Sequence, residues 1–303
     1  MKSSLRSPLI LTLTSIIWGV AFVAQTEGSN YWGSGTFIGI RFLIAALVLL
    51  PVILITDRRS GSSETPAERK SCWRAGGICG FWLFVASFFQ QEGIALGTGA
   101  GKAGFITATY IVIVPILGRI LYKKRTGAAV WIGVSIALVG LYLLCLTGRF
   151  SLQLSDILIL LCAVTFSFQI LAVDRFSPKF NAIRLATVQF LVCGLLSMLA
   201  AVPLDIIPVG LAAWASPLAS WSAWIPLLYA GILSSAVGYT LQIVGQKDFN
   251  PTIASLLMSL ESVFAVLAGW LILHQTMTIR EAVGAALIFA AVIIAQLKPG
   301  AKP

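Results

Sequence analysis

The sequence predicts an all-α integral membrane protein with ten transmembrane helices arranged as two inverted five-helix repeats, residues 1–148 and 149–303. Three observations predict it. The chain is 58% hydrophobic and only 11% charged. Its apolar stretches run to about 20 residues, the helix length that crosses a bilayer. The two halves of the chain also match each other. A soluble domain carries about 25% charged residues, so a chain this apolar has no means of covering itself in water. In lipid the backbone must satisfy its own polar groups, which leaves helices or closed barrels. Barrel strands are about ten residues long and alternate in polarity, a pattern missing here.

The first span is Pro8–Gln25. Lys2 and Arg6 ahead of it imitate a signal peptide, but the run is long for one and no small-x-small cleavage site follows, so it reads as a retained helix. Gly35–Ile55 follows the polar break Thr26–Gly33, and Ala75–Gly97 follows the charged stretch Asp57–Ser71. A glycine turn, Gly97–Gly101, leads into Ala103–Leu121, where Pro115 is expected to kink or unwind the helix. Lys123–Gly127 precedes Ala128–Thr147, Gly148–Ser155 precedes Asp156–Val173, and Arg175–Asn181 precedes Ile183–Val202. The loop Leu204–Trp221 is rich in Pro, Ala and Trp; with Trp214, Trp221 and Trp224 it reads as an interfacial segment with an aromatic belt. Ser222–Gly245 comes next. Pro251 suits the first turn of Pro251–Leu273, and Thr278–Gln296 closes the set after His274–Met277.

Lysine and arginine set the orientation. With the N-terminus inside, Lys2, Arg6, Arg58, Arg59, Arg69, Lys70, Arg74, Arg119, Lys123, Lys124, Arg125, Arg175, Lys179, Arg184, Lys247, Lys298 and Lys302 all fall inside. Lys102, Arg149 and Arg280 fall outside, and Arg41 lies within a span. This bias places both termini in the cytoplasm and the protein in the cell (inner) membrane as a multi-pass chain. It also reads the +10 net charge as a topology signal and not as a nucleic-acid footprint.

The internal match carries the inverted-repeat reading. At a shift of 151 residues Gly80 meets Gly231, Gln91 meets Gln242, Ala103 meets Ala254, Val112 meets Val263, Gly118 meets Gly269 and Gly133 meets Gly284. At a shift of 148, Ala24 meets Ala172, Phe42 meets Phe190, Leu43 meets Leu191 and Leu47 meets Leu195. Five spans per repeat is an odd number, so the second repeat enters the membrane from the opposite side.

A polar group inside the bilayer needs a reason, since a charge there costs roughly 2.5–3.5 kcal/mol on insertion scales. Glu261, in mid-span, has two readings: a proton-titrating or solute-contacting carboxylate, or a carboxyl that caps backbone or pairs with Arg41. Arg41 reads as structural or gating. Phe84, Phe88, Gln91 and Ala95 share a helix face, and their repeat partners are Ser235, Tyr239, Gln242 and Gln246. Aromatic walls with amides suit an amphipathic solute, and helix–helix hydrogen bonding is the alternative. Trp18, Thr107 and Tyr110 are candidates for the same cavity, and Gln169 and Gln189 are weaker symmetric ones. Glu92 and Lys102 read as a solvated ion pair at its mouth.

Several chemistries fall away. Gly97-Thr98-Gly99-Ala100-Gly101-Lys102-Ala103 resembles a phosphate loop only superficially, because Leu96 stands where its first glycine belongs and Ala103 where Ser or Thr belongs. One histidine, His274, supports neither a His-based metal cluster nor a His-dependent triad. The five cysteines form no CxxC pair and read as small apolar residues. No metal or cofactor is expected.

Ala103-Gly104-Phe105-Ile106-Thr107 through Val114-Pro115-Ile116-Leu117-Gly118, together with Leu260-Glu261-Ser262-Val263-Phe264-Ala265, resembles the paired fourth-helix motifs of the EamA family in the drug/metabolite transporter superfamily. Trp18-Gly19 and Arg41-Phe42 fit the same pattern, and the resemblance covers nearly the whole chain. It implies a ten-helix fold around a central cavity and secondary transport, commonly export, of amino acids or other metabolites. Ser262 stands where the family often has a proline, so no proline is available to kink the ninth span. An intramembrane enzyme and a receptor or scaffold are the alternatives. The first lacks a catalytic constellation, and the second has no need of a symmetric polar cavity.

Overall fold

The computed structural model describes residues 6–60, 65–123, 126–145, 153–247, 250–272 and 278–297. His274, Lys2, Lys124, Arg125, Arg149, Lys298 and Lys302 lie outside them, as does the side chain of Cys145. Among the described residues the chain is mostly helical and has no strand, and eight helical stretches are long and apolar enough to cross a membrane.

The first three helices are α1 (Arg6–Gly28), α2 (Ser34–Ser60) and α3 (Pro66–Ala95). Helix α3 begins well before the apolar run, because Thr65 and Glu68 form a capping box. The Thr65 hydroxyl accepts from Glu68 N at 3.3 Å, and Glu68 Oε2 accepts from Thr65 N at 2.9 Å. Gly97, at φ 102°, then turns the chain towards the next helix, a conformation that costs glycine little.

The fourth stretch is broken into α4 (Ala100–Ala108) and α5 (Tyr110–Tyr122). The break falls at Thr109 and not at Pro115, which sits inside α5. Around Thr109 the backbone tightens to three-residue bonds: Thr109 N donates to Ile106 O at 3.2 Å, and Val112 N to Thr109 O at 3.0 Å. The ninth stretch breaks likewise, between α13 (Pro251–Met258) and α14 (Glu261–Ile272), where Leu260 N donates to Leu257 O and Ser262 N to Ser259 O. No proline drives this interruption, so the presence of Ser262 does not remove it.

Helices α6 (Ala128–Cys145) and α15 (Ile279–Leu297) pack along each other. Their backbones nearly touch: a Cβ on Gly284 would lie 2.6 Å from Gly140 O, and one on Gly133 would lie 2.9 Å from Ala291 O. Helices α7 (Leu154–Phe176) and α8 (Ala182–Ala201) pack on α3 and α2.

Beyond α8 the chain does not become a loop. A wide-turned stretch, Val202–Ile206, leads into α9 (Ile207–Val209), α10 (Leu211–Ala215) and a 3₁₀ turn at Ser216–Ala219. Asp205 in this segment caps the start of α2, accepting from Thr36 N at 2.6 Å and Thr36 Oγ1 at 2.7 Å. Trp214 Nε1 donates to the same threonine hydroxyl at 2.9 Å. The eighth stretch starts as α11 (Trp221–Leu228), widens to π-helical turns over Tyr229–Tyr239, and ends as α12 (Thr240–Gln246). The regular α-periodicity expected from Ser235 to Gln246 is therefore interrupted.

Candidate functional site

The two helix interruptions face each other at the centre of the molecule. Tyr110 opens α5 and Glu261 opens α14, and the tyrosine hydroxyl donates to Glu261 Oε1 at 3.0 Å. The residues lie 151 apart, the shift at which the sequence matches itself. Glu261 is 4% exposed and bonds Tyr110 in place of the expected alternative partner, Arg41. Interrupted helices leave backbone groups without partners where they meet, and such irregular backbone is tolerated at membrane depth only inside protein or against a cavity.

A cavity with ≈ 30 Å³ of free volume lies against this pair. That holds water but no metabolite. Of the expected residues, Trp18, Arg41, Thr107, Tyr110, Tyr239, Gln242 and Glu261 line it. Trp18 and Tyr239 form an aromatic wall with ring centroids 4.7 Å apart, and Trp18 Nε1 donates to Ser234 O at 3.2 Å within the π-helical turns. Gly238 provides the room there, since a Cβ on it would stand 2.7 Å from Trp18 Nε1.

Phe88, Gln91 and Gln246 are not brought to the cavity. Phe88 packs beside Phe84 at 6.0 Å in an apolar cluster. Gln91 is buried and donates to Gln25 O at 3.1 Å. Gln246 is buried with both amide atoms unbonded. Pro115 is buried six residues beyond the break. Sequence reasoning missed Gln25, Gln90, Phe166, Ser234 and Met258, all of which line the cavity. Gln90 Nε2 donates to Thr107 Oγ1 at 3.2 Å. Polar residues within apolar runs were the available signal for Gln90 and Ser234.

Two polar knots flank the centre. In one, Arg41 Nη1 donates to Gln25 Oε1 at 3.3 Å, beside Gln91. The Arg41 guanidinium also lies 4.7 Å from the Phe42 ring centroid. In the other, Gln169 Nε2 donates to Gln189 Oε1 at 3.3 Å, and Gln242 Nε2 donates to Gln169 Oε1 at 3.2 Å. Gln189 is the repeat partner of Arg41, and Gln242 that of Gln91. Arg41 Nε, Gln91 Oε1 and Gln189 Nε2 are buried without hydrogen-bond partners, sites that water or a polar solute would satisfy. The expected Glu92–Lys102 pair is replaced: Lys102 Nζ bonds Asp156 Oδ2 at 2.6 Å, and Thr98 Oγ1 donates to Asp156 Oδ1 at 3.2 Å.

Two sets of close helix contacts exchange under the shifts at which the sequence matches itself. A Cβ on Gly80 would meet Gln189 O and Val192, and one on Gly231 would meet Arg41 O and Ile44. Gly231 is the repeat partner of Gly80, while Arg41 and Ile44 are those of Gln189 and Val192. The crossing of α6 and α15 obeys the same exchange, because Gly284 partners Gly133 and Ala291 partners Gly140.

Comparison with known proteins adds three findings. The sequence signature of the EamA-like transporter family matches residues 6–146 and again 153–296. An uncharacterized transporter of Archaeoglobus fulgidus is 30% identical, over 97% of this chain and 87% of the relative. The uncharacterized transporter YdfC of Bacillus subtilis is 25% identical over 93% of this chain and 88% of its own length, and a chloroplastic WAT1-related protein of Arabidopsis thaliana is 27% identical over 96% and 69%. A solved crystal structure superposes with a TM-score of 0.74 over 96% of each chain at 20% identity, which is a likeness of fold.

Proposed function

Because the chain belongs to the EamA-like transporter family and is no enzyme, we propose that it is a secondary carrier that exports small amphipathic metabolites by alternating access around the Tyr110–Glu261 centre. Residues 1–148 and 149–303 are then inverted repeats of five spans each, with α6 and α15 as spans five and ten. The reciprocal glycine contacts support this reading. A two-fold relation between halves requires that if residue i of one touches residue j of the other, their partners touch in exchange. The carrying observation is that Tyr110 and Glu261 are repeat partners, hydrogen-bonded to each other at two equivalent helix interruptions.

In this reading the present conformation is occluded. The interruptions at Thr109 and Ser259–Leu260 act as hinges, and the polar knots close the two approaches. The Arg41–Gln25–Gln91 knot lies on the outer side, and the Gln169–Gln189–Gln242 knot on the cytoplasmic side. Opening one knot admits solute to Trp18, Tyr239, Gln242 and Thr107, where the rings offer stacking and the polar groups offer donors and acceptors. Solute or a proton displaces the Tyr110 hydroxyl from Glu261, so the carboxyl couples the two. Both termini are cytoplasmic, and the membrane is the cell (inner) membrane.

Counterflow in proteoliposomes containing the purified protein, run over a broad metabolite panel, tests the carrier reading. At least one solute should exchange, and none moving and none raising the melting temperature defeats it. Proton coupling has a separate test: a Glu261→Gln protein that transports with an unchanged pH dependence ends that part.

A further inference from the structure

Arg41 stands in the wall of the central cavity, 2% exposed, on a helix that is long and apolar enough to cross the membrane. Among the described residues its one hydrogen bond runs from Nη1 to Gln25 Oε1 at 3.3 Å, which is long against the roughly 2.7–2.9 Å of a charge-assisted bond to a carboxylate. Its Nε is buried without a partner. No described carboxylate pairs with it: Glu261 bonds Tyr110, Asp156 bonds Lys102 and Asp205 bonds Thr36. Its remaining neighbours are neutral rings, Phe37 at 5.7 Å and Phe42 at 4.7 Å from the guanidinium carbon. A buried charge without a counter-ion is costly, and rings offset only part of that cost. Water can satisfy the orphaned N–H but cannot cancel the charge. At the 148-residue shift Arg41 meets Gln189, a neutral amide, so the charge stands on one side of the centre only. The rings beside it lead across the cavity: Phe42 lies 5.7 Å from Tyr239, and Tyr239 lies 4.7 Å from Trp18. Trp18 and Tyr239 line the same cavity as Arg41.

We propose that Arg41 is the docking point for the acid group of the carried solute, which is an amphipathic monocarboxylate. The inference rests on the carrier reading above and names the class of solute. The carboxylate displaces Gln25 Oε1 and accepts from the unpartnered Nε–H and a neighbouring Nη–H, the planar fork that a guanidinium offers to two carboxylate oxygens. It thereby supplies the counter-ion that the protein withholds. The apolar body of the solute lies against Trp18 and Tyr239. Glu261 lines the same cavity and repels a second anionic group, which restricts the solute to one. An inorganic anion shares the acid group's charge but leaves the aromatic wall uncovered, so it is a poorer occupant.

The test uses the full chain in detergent, with equilibrium dialysis and thermal melting as readouts. Its probes are 3-phenylpropanoate and 4-methylpentanoate, the matching primary amides and amines, and chloride at matched ionic strength. The acids should bind and raise the melting temperature. The amides keep the shape without the charge and should bind about ten- to a hundredfold more weakly. Amines and chloride should not stabilise. Arg41→Gln should abolish the preference for acid over amide, yet melt no lower than the unaltered protein without ligand, because it removes an unpaired buried charge. A purely structural arginine predicts the reverse, a lower melting temperature with the preference intact. Arg41→Lys keeps the charge without the fork and should retain part of the preference. Should Arg41→Gln fail to fold, the ratio of acid to amide binding in the unaltered protein decides. Amides or amines that bind as tightly as the acids, no binding by either acid, stabilisation by chloride equal to that by the acids, or a folded Arg41→Gln protein that still prefers acids would each overturn the proposal. Counterflow separates the two readings: exchange of amides or amines without acids ends this inference and leaves the carrier standing, whereas no exchange of any solute ends both.

Discussion

Gly80→Ala perturbs the contact of α3 with α8 at the backbone of Gln189, a member of the Gln169–Gln189–Gln242 knot. The new Cβ would stand 2.6 Å from Gln189 O and 2.8 Å from Val192 Cβ. Ordinary contact begins near 3.4 Å, so α3 and α8 must part by about 0.8 Å, and overpacking of this kind costs about 1–3 kcal/mol. Against it stands a helix-propensity gain of about 0.8–1 kcal/mol for replacing glycine by alanine. The net expectation is a loss of about 0–2 kcal/mol. Its repeat partner, Gly231, is less tight, with 3.0 Å to Ile44 Cγ2 and 3.1 Å to Arg41 O. Gly231→Ala therefore asks for a shift of about 0.3–0.4 Å, and should come out near neutral. Gly77 has nothing within 4 Å of its would-be Cβ, so Gly77→Ala should stabilise by about 0.5–1 kcal/mol. SDS-induced unfolding in mixed micelles, followed by far-ultraviolet circular dichroism, measures all three. Gly80→Ala as stable as Gly77→Ala would refute the close approach of α3 to the second half.

Tyr110→Phe removes the hydroxyl that bonds buried Glu261 and should cost about 1–3 kcal/mol in the same unfolding measurement, with Glu261→Gln less affected because an amide oxygen still accepts. Lys102→Met strips the 2.6 Å ion pair from Asp156, which is 1% exposed, leaving Thr98 and the Gln153 N–H as its partners; about 1.5–3 kcal/mol should be lost. Asp205→Ala deprives the first turn of α2 of its cap and should destabilise by about 0.5–2 kcal/mol, with increased hydrogen exchange at Thr36 as the local readout.

The helical architecture was legible because lipid imposes a simple rule, namely enough apolar residues in a row to cross. The match of the chain to itself rests on glycines and one glutamine pair, which recur at fixed shifts in so apolar a composition. Tyr110 and Glu261 were each singled out, but their bond was not, because a match search aligns equal residues and these two differ. The break at Thr109 was hidden by Pro115, the nearer textual signal, although the second half breaks at the same place without proline. Gln90 escaped because a stripe at i, i+4 and i+7 through Gln91 excludes its neighbour about 100° round the helix. The π-helical turns at Tyr229–Tyr239 have no sequence signature. Tyr239, within these turns, and Gln242, just after them, line the cavity, while Phe88 and Gln91 on regular α3 do not. Asp156 was taken for a span boundary, which concealed it as the partner of Lys102.

Thiol accessibility of Thr107→Cys, in a background with Cys72, Cys79, Cys145, Cys162 and Cys193 replaced by alanine, addresses the alternating-access centre most directly. A membrane-impermeant maleimide is applied to oriented vesicles from the outside alone, then from the inside alone. A hollow that opens to each side in turn predicts slow labelling from both, and protection from both by a transported solute. Labelling from one side only, or from neither, would contradict it.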